Sequence, residues 1–179
     1  MKYVRKFAAN YCVLDLETTG LSCDTCEIIE VGILRIRNHQ IIEQYQTLVH
    51  PKQPINSFIT SLTGIDNTMV ATAPEIENLN QTIENFIGND LIVGHNTKFD
   101  LGFLSKHIKI ENEYTDTLRI SYKSFPELKR HRLSDLREYL HLSINAHRSI
   151  SDCITTYQLY ETMRKLHESG IRSLQNYLD

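Results

Sequence analysis

The sequence predicts an α/β fold built on one mixed β-sheet, and three observations carry that prediction. A β-prone apolar run at residues 11 to 14 ends in two carboxylates, Asp15 and Glu17. Two further runs, Glu27–Arg37 and Ile41–Val49, are joined by the turn signal Asn38-His39, which makes them an antiparallel meander. A compact apolar strand, Leu91–Gly94, lies between two stretches of helical periodicity, as in a crossover unit.

The elements follow in order. After the opening strand, Leu21 to Cys26 is a polar loop. Pro51 and Pro54 end the meander, because proline cannot donate to a strand ladder. Asn56 to Leu62 predicts a short helix closed by Gly64. From Pro74, the residues Ile76, Leu79, Ile83, Phe86 and Ile87 fall on one helical stripe that stops at Gly88. His95 to Asp100 turns the chain into a helix carrying Phe99, Phe103 and Leu104. Tyr114 to Tyr122 reads as a strand end passing into a helix, broken by Ser124-Phe-Pro126. Leu133, Leu136, Tyr139 and Leu140 have helical spacing, and a last long helix runs from about Ser149 to His167. No repeat, low-complexity segment or linker divides the chain, so residues 1–179 are expected to form one domain.

Composition narrows the classes. A chain of 179 residues, 41% hydrophobic and 23% charged, can bury a full core without disulfides. No run approaches the roughly 18 apolar residues of a membrane span, and Met1-Lys-Tyr-Val-Arg-Lys is not followed by a secretory apolar segment. The expectation is a cytoplasmic protein with no membrane partner. Cys12 and Cys153 sit in apolar stretches and read as small core residues. Cys23 and Cys26 have the spacing of half a zinc site or a redox pair, but no second pair follows, and they read as loop thiols. A net charge of −3 argues against a strongly basic nucleic-acid binder, though not against an enzyme whose metals reverse the local field.

The chemistry-bearing positions are acids at element ends. Alternate side chains of a strand share a face, so Asp15 and Glu17 project side by side. Like charges that close repel strongly, so either one carboxyl stays protonated or a cation lies between them. Asp100 lies one helical turn after Asn96 and is wrapped in Phe99, Leu101 and Phe103; taken alone it equally suits a first-turn carboxylate favoured by the helix dipole. Asp152 opens the last helix. It follows His147 by five positions, about 140° around a helix, so His147 must come from the preceding loop to meet it.

These residues resemble a known family. Asp15-Leu-Glu-Thr-Thr-Gly20, His95-Asn-x-x-Phe-Asp100 and His147-x4-Asp152 are similar to the three ordered motifs of the DEDD 3′ to 5′ exonucleases, in the DnaQ-like branch whose third motif carries histidine (DEDDh). The sibling branch has tyrosine four residues before the last aspartate, where Arg148 stands here. The likeness continues through Thr63-Gly-Ile65, Ala73-Pro74, Asp116-Thr-Leu118, Phe125-Pro126 and His131-Arg-Leu133, covering roughly residues 10 to 167. It implies a ribonuclease H-like fold, a mixed five-stranded sheet flanked by α-helices.

The resemblance also implies roles. Two divalent ions, Mg²⁺ or Mn²⁺, roughly 3.5 to 4 Å apart would serve both ends of a phosphodiester displacement. Asp15 would bridge them, Glu17 and Asp152 would hold the ion that activates water, Asp100 would support the other, and His147 would be the general base. Thr18 and Thr19 would grip the terminal nucleotide, Ile65 and Phe99 would pack on its base, and His95 and Asn96 of the second motif would join the substrate contacts. Phe99 equally suits plain core. The implied reaction releases nucleoside 5′-monophosphates from single-stranded or frayed DNA 3′ ends, with RNA ends as the alternative substrate and a non-catalytic binding module as the alternative class. A DNA polymerase is the implied partner, in proofreading or repair, although few residues follow the last helix to form a polymerase-docking tail. Lys129-Arg-His-Arg132 and Arg148 form the notable basic cluster, read either as phosphate contacts or as a solvated face.

Overall fold

The computed structural model describes residues 1–142 and 148–170. Its strands are β1 (Lys2–Tyr3), β2 (Tyr11–Thr18), β3 (Ile28–Arg37), β4 (Gln40–Leu48), β5 (Leu91–Gly94) and β6 (Glu113–Asp116). Its helices are α1 (Ser57–Thr63), α2 (Asn67–Val70), α3 (Asn80–Ile87), α4 (Lys98–Leu104), α5 (Thr117–Ser124), α6 (Leu133–Tyr139) and α7 (Ser149–Glu168). The strands form one sheet in the order β1-β6-β5-β2-β3-β4. The β2–β3–β4 meander is antiparallel, whereas β2–β5, β5–β6 and β6–β1 are parallel. The sheet is therefore mixed, as expected, and it gains a sixth strand of only two residues, too short for any periodicity to reveal.

Local chemistry sets the element ends. The Asn56 side chain accepts from the Ile59 N–H at 3.0 Å to open α1, and Gly64 closes it at φ 72°. The stripe from Pro74 is buried as expected, but it divides into a 3₁₀ turn at Ile76–Asn78 followed by α3. Asp116 ends β6 and caps α5, its Oδ1 accepting from the N–H groups of Leu118 and Asn96, each at 3.0 Å.

Alternation along β2 assigns its residues to two layers. Cys12, Leu14 and Leu16 enter the core that contains α3 and α4, with Ile83, Phe86, Leu101 and Leu104. Tyr11 and Val13 enter the opposite core, with Leu136 from α6 and Cys153, Leu159, Tyr160 and Met163 from α7. Asp15 and Glu17 share the parity of Tyr11 and Val13, so they emerge on the face that α7 covers.

Strand β3 admits the start of α7 at close range. A Cβ at Gly32 would lie 2.6 Å from the Ser149 carbonyl carbon and 2.8 Å from the Ile150 nitrogen, so only glycine leaves room for that backbone. Gly32 pairs with Asp15 across the ladder, and Glu30 pairs with Glu17. Replacing Gly32 by alanine is expected to lower unfolding free energy by about 1–3 kcal/mol through overpacking, measured by urea denaturation. A change below about 0.5 kcal/mol, within the ordinary range for uninvolved surface sites, would mean that α7 shifts freely.

Candidate active site

Three of the four predicted acids meet where β2 ends. One carboxylate oxygen each from Asp15, Glu17 and Asp152 lie within 4.8 Å of one another, and all three residues are half-buried. Among the described residues, this is the one group of three or more potential metal-ligating side chains gathered so closely. Asp152 lies in the first turn of α7, which carries it over β2 and β3. Asp100 approaches from α4 on the other side of the sheet and is buried, its Oδ1 accepting the Leu16 N–H at 3.0 Å. That bond ties the second motif to the strand between the two acids of the first.

The electrostatics are those of an under-compensated anionic pocket. Burial, then the neighbouring Asp100, Asp152 and Glu17 charges, push the Asp15 pKa well above the ordinary carboxylate range. Burial, Asp152 and Glu30 raise Glu17 to about 7, against the pull of Arg148. Burial raises Asp100 to about 8 despite the Leu16 hydrogen bond. A set of hard oxygen donors gathered this closely suits a hard divalent cation. Asp15, Glu17 and Asp152 are the residues placed to hold it, with Asp100 adjoining.

One acid missing from the predicted set organises this pocket. Glu30 is fully buried. It accepts from Arg148 Nε at 2.9 and 3.2 Å, from Arg148 Nη2, from the Ser149 N–H at 2.9 Å and from Gln46 Nε2 at 2.9 Å. Burial works to raise its pKa, but the bonds from Arg148 and Ser149 hold it below the ordinary value. Glu30 thus stays anionic and fastens the first residues of α7 to β3. The sequence signal was available: an acid inside the apolar run Ile28–Ile36 must have a partner. The partner, more than a hundred residues away, was not legible.

The remaining predicted residues fall in several places. Thr18 is buried and donates to the Gly20 carbonyl at 2.7 Å; Thr19 Oγ1 accepts the Glu27 N–H at 2.9 Å, so both side chains close the loop after β2. Ile65 has no exposed surface and packs with Ile29, Ile55, Ile59 and Val70. Phe99 is half-buried against the main core, its ring 5.1 Å from that of Phe103. His95 lies within hydrogen-bonding distance of Thr117 Oγ1 at 2.9 Å and of the His131 carbonyl at 2.8 Å. Burial lowers its pKa to about 4, leaving it neutral. Asn96 is exposed at a left-handed φ of 66°. His147 lies outside the described residues. Cys12 and Cys153 are buried, and Cys23 and Cys26 are half-buried free thiols.

Comparison with known proteins decides the family. The exonuclease family RNase_T matches residues 12–160. The chain belongs to that family. Its curated relatives include "DNA polymerase III PolC-type" of Caldanaerobacter subterraneus subsp. tengcongensis, 38% identical over 171 residues that make up 92% of this chain and 12% of that protein. They also include "3′-5′ exonuclease DinG" of Staphylococcus aureus, 37% identical over 93% of this chain and 20% of the relative. The chain therefore spans a minor part of the length of these relatives. Among solved structures, E. coli exonuclease I in complex with a dT13 oligonucleotide superposes with a TM-score of 0.77 at 17% identity, over 92% of this chain and 43% of that one. That likeness establishes the ribonuclease H-like fold. Among the described residues no helix is long and apolar enough to cross a membrane.

The raised carboxyl pKa values set the sign of the pH response. Without metal, the folded protein retains protons on Glu17 and Asp100 that the unfolded chain has lost above about pH 4. The stability of the metal-free protein is expected to fall as pH rises from about 5 to about 8, and added Mn²⁺ should restore it. His95 acts oppositely below about pH 6.5, because its proton must be shed on folding. The difference between thermal melts of wild type and Asp15→Asn isolates the acidic cluster; equal slopes for the two in chelator would contradict it. Arg148→Ala should lower stability by about 2–3 kcal/mol, the range for a hydrogen bond to a charged group plus residual burial, with chemical denaturation as the measurement.

Proposed function

We propose that this chain is a metal-dependent 3′ to 5′ exonuclease that releases nucleoside 5′-monophosphates from single-stranded or frayed DNA ends. The observation that carries the reading is the meeting of Asp15, Glu17 and Asp152 oxygens within 4.8 Å, with the buried Asp100 held to the same strand. The relatives' names and the oligonucleotide bound by the structural neighbour support it.

Two bound divalent ions would make water a strong nucleophile near neutral pH and stabilise the departing 3′ oxygen. The protein's own contributions are positional and protolytic. Asp15 and Glu17 present their oxygens from a strand fixed along its length by β3 and, as far as Val13, by β5. Asp152 is aimed by the anchored start of α7, and Asp100 by its bond to Leu16. His147, five residues before Asp152 in sequence, takes the proton of the attacking water in this reading, since an imidazole with a pKa near 6.5 accepts protons at working pH. Thr18 and Thr19 shape the loop that faces the terminal nucleotide, and Phe99 offers a partly exposed ring to its base. Because the "DNA polymerase III PolC-type" relatives carry the matching stretch as 12% of their length, a polymerase partner is part of the same proposal.

The test is an end-labelled ladder of matched DNA and RNA oligonucleotides with Mg²⁺, Mn²⁺ or chelator. Wild type should release mononucleotides from DNA 3′ ends only with metal, and Asp15→Ala should abolish turnover. His147→Ala should lose about 10²- to 10⁴-fold in rate, the usual share of a general base, with metal affinity retained. Absence of mononucleotide with either metal would leave a non-catalytic binding module, and faster digestion of RNA would overturn the DNA assignment.

A further inference from the structure

A cleft of about 450 Å³ opens where the α5–α6 connection passes the end of β5. Its rim carries Lys129, Arg130 and Arg132, all exposed, and no acidic residue lines it. Among the described residues none of the three cations is ion-paired, in contrast to Lys2, Lys6, Arg35 and Arg37, each of which has a carboxylate partner. In a chain of net charge −3, three such cations around one concavity without an acid in its lining concentrate positive potential there.

The cleft also has an aromatic wall. Tyr122 is 55% exposed, and its ring centroid lies 4.1 Å from that of His131 at a tilt of 40°. The His131 imidazole is itself buried, within hydrogen-bonding distance of Ser121 Oγ at 3.0 Å and of the Leu128 carbonyl at 3.2 Å. An exposed ring backed by an immobilised one is a preorganised flat surface. His95 and Asn96, five and four residues before Asp100, also line the cleft, so the segment that carries the second-motif acid forms part of its wall. His95 fixes that relation by its contact with the His131 carbonyl at 2.8 Å.

We propose that this cleft is a second nucleic-acid subsite, holding the single strand on the 5′ side of the nucleotide being removed. Backbone phosphates lie against Lys129, Arg130 and Arg132, and one base packs on Tyr122. Unpaired cations beside a flat aromatic surface match the alternation of charge and π-face along a single strand, and they read no sequence. The inference rests on the exonuclease reading above and adds where the rest of the strand goes.

The experiment compares two substrates: an oligothymidylate of about 12 nucleotides, long enough for one such single-strand site, and the p-nitrophenyl ester of thymidine 5′-monophosphate, which has nothing 5′ of the reacting phosphate. For Lys129→Ala/Arg130→Ala/Arg132→Ala, KM on the oligonucleotide should rise about tenfold with kcat within about twofold, and the log–log salt slope should flatten by about 2, or roughly 0.7 for each of three phosphate contacts. Tyr122→Ala should raise the same KM about fivefold or more. Turnover of the ester should match wild type in both variants. An unchanged oligonucleotide KM in a wild type that is active overturns the cleft and leaves the exonuclease reading standing. Equal losses on both substrates also overturn it, since the variants would then have damaged the cluster. A wild type that releases nothing from either substrate overturns the exonuclease reading and the subsite together.

Discussion

The acidic pocket depends on an ion pair that stands outside it. Glu30 and Arg148 join β3 to the first residue before α7, and the Ser149 N–H bonds the same carboxylate. That junction, together with the Cys153 thiol on the Val13 and Gly32 carbonyls, holds the first turn of α7 and with it Asp152 beside Asp15 and Glu17. A buried ion pair is weak evidence for stability as such, because desolvation offsets much of the attraction. Its value here is registration: it selects one position of a 20-residue helix along the sheet. Gly32 supplies the complementary constraint by letting the helix backbone descend onto the strand. Attraction at Glu30 and absence of a side chain at Gly32 act together at the two β3 positions paired with the acids of β2.

Much of this was legible in the linear chain because the signals were local. The β-prone runs Glu27–Arg37 and Ile41–Val49 about the Asn38-His39 turn, the stripe ending at Gly88 and the Asn56 and Gly64 caps each declare an element within a few residues. The acids of β2 were visible as charges at the end of an apolar run, and the parity rule placed them on one face. Four-residue α2 and two-residue β1 escaped because neither is long enough to show a period; β1 exists through its pairing with β6. Thr19, His95 and Ile65 show the other limit. The family resemblance places them at the substrate; in the fold they also make a loop-closing hydrogen bond, two part-buried polar contacts and a sealed apolar cluster, all with partners distant enough in sequence to leave no local signal.

Many charges in this chain are balanced locally by ion pairs, but two regions are not. Four carboxyl groups gather at the end of β2, two of them with pKa values raised into the neutral range, while unpaired cations border the cleft beyond Asn96. Each region is electrostatically unfavourable by itself, and each is relieved by an opposite charge from outside. A polyanion and divalent cations arriving together satisfy both, so occupancy of one region is expected to favour occupancy of the other. That coupling needs no movement of the backbone, only fields that extend about a Debye length, roughly 8 Å at physiological salt.

The shared facing of Asp15 and Glu17 with Tyr11 and Val13 limits how β2 can change over time. Deleting or inserting a single amino acid upstream in the strand would rotate both acids to the side occupied by α3 and α4, out of reach of α7, while exporting half of each core to the wrong layer. Changes of two at a time would preserve the arrangement. Length variation among descendants of this gene should therefore collect in the hairpin between β3 and β4 and in the loop after Thr18, and the strand itself should drift only by substitution.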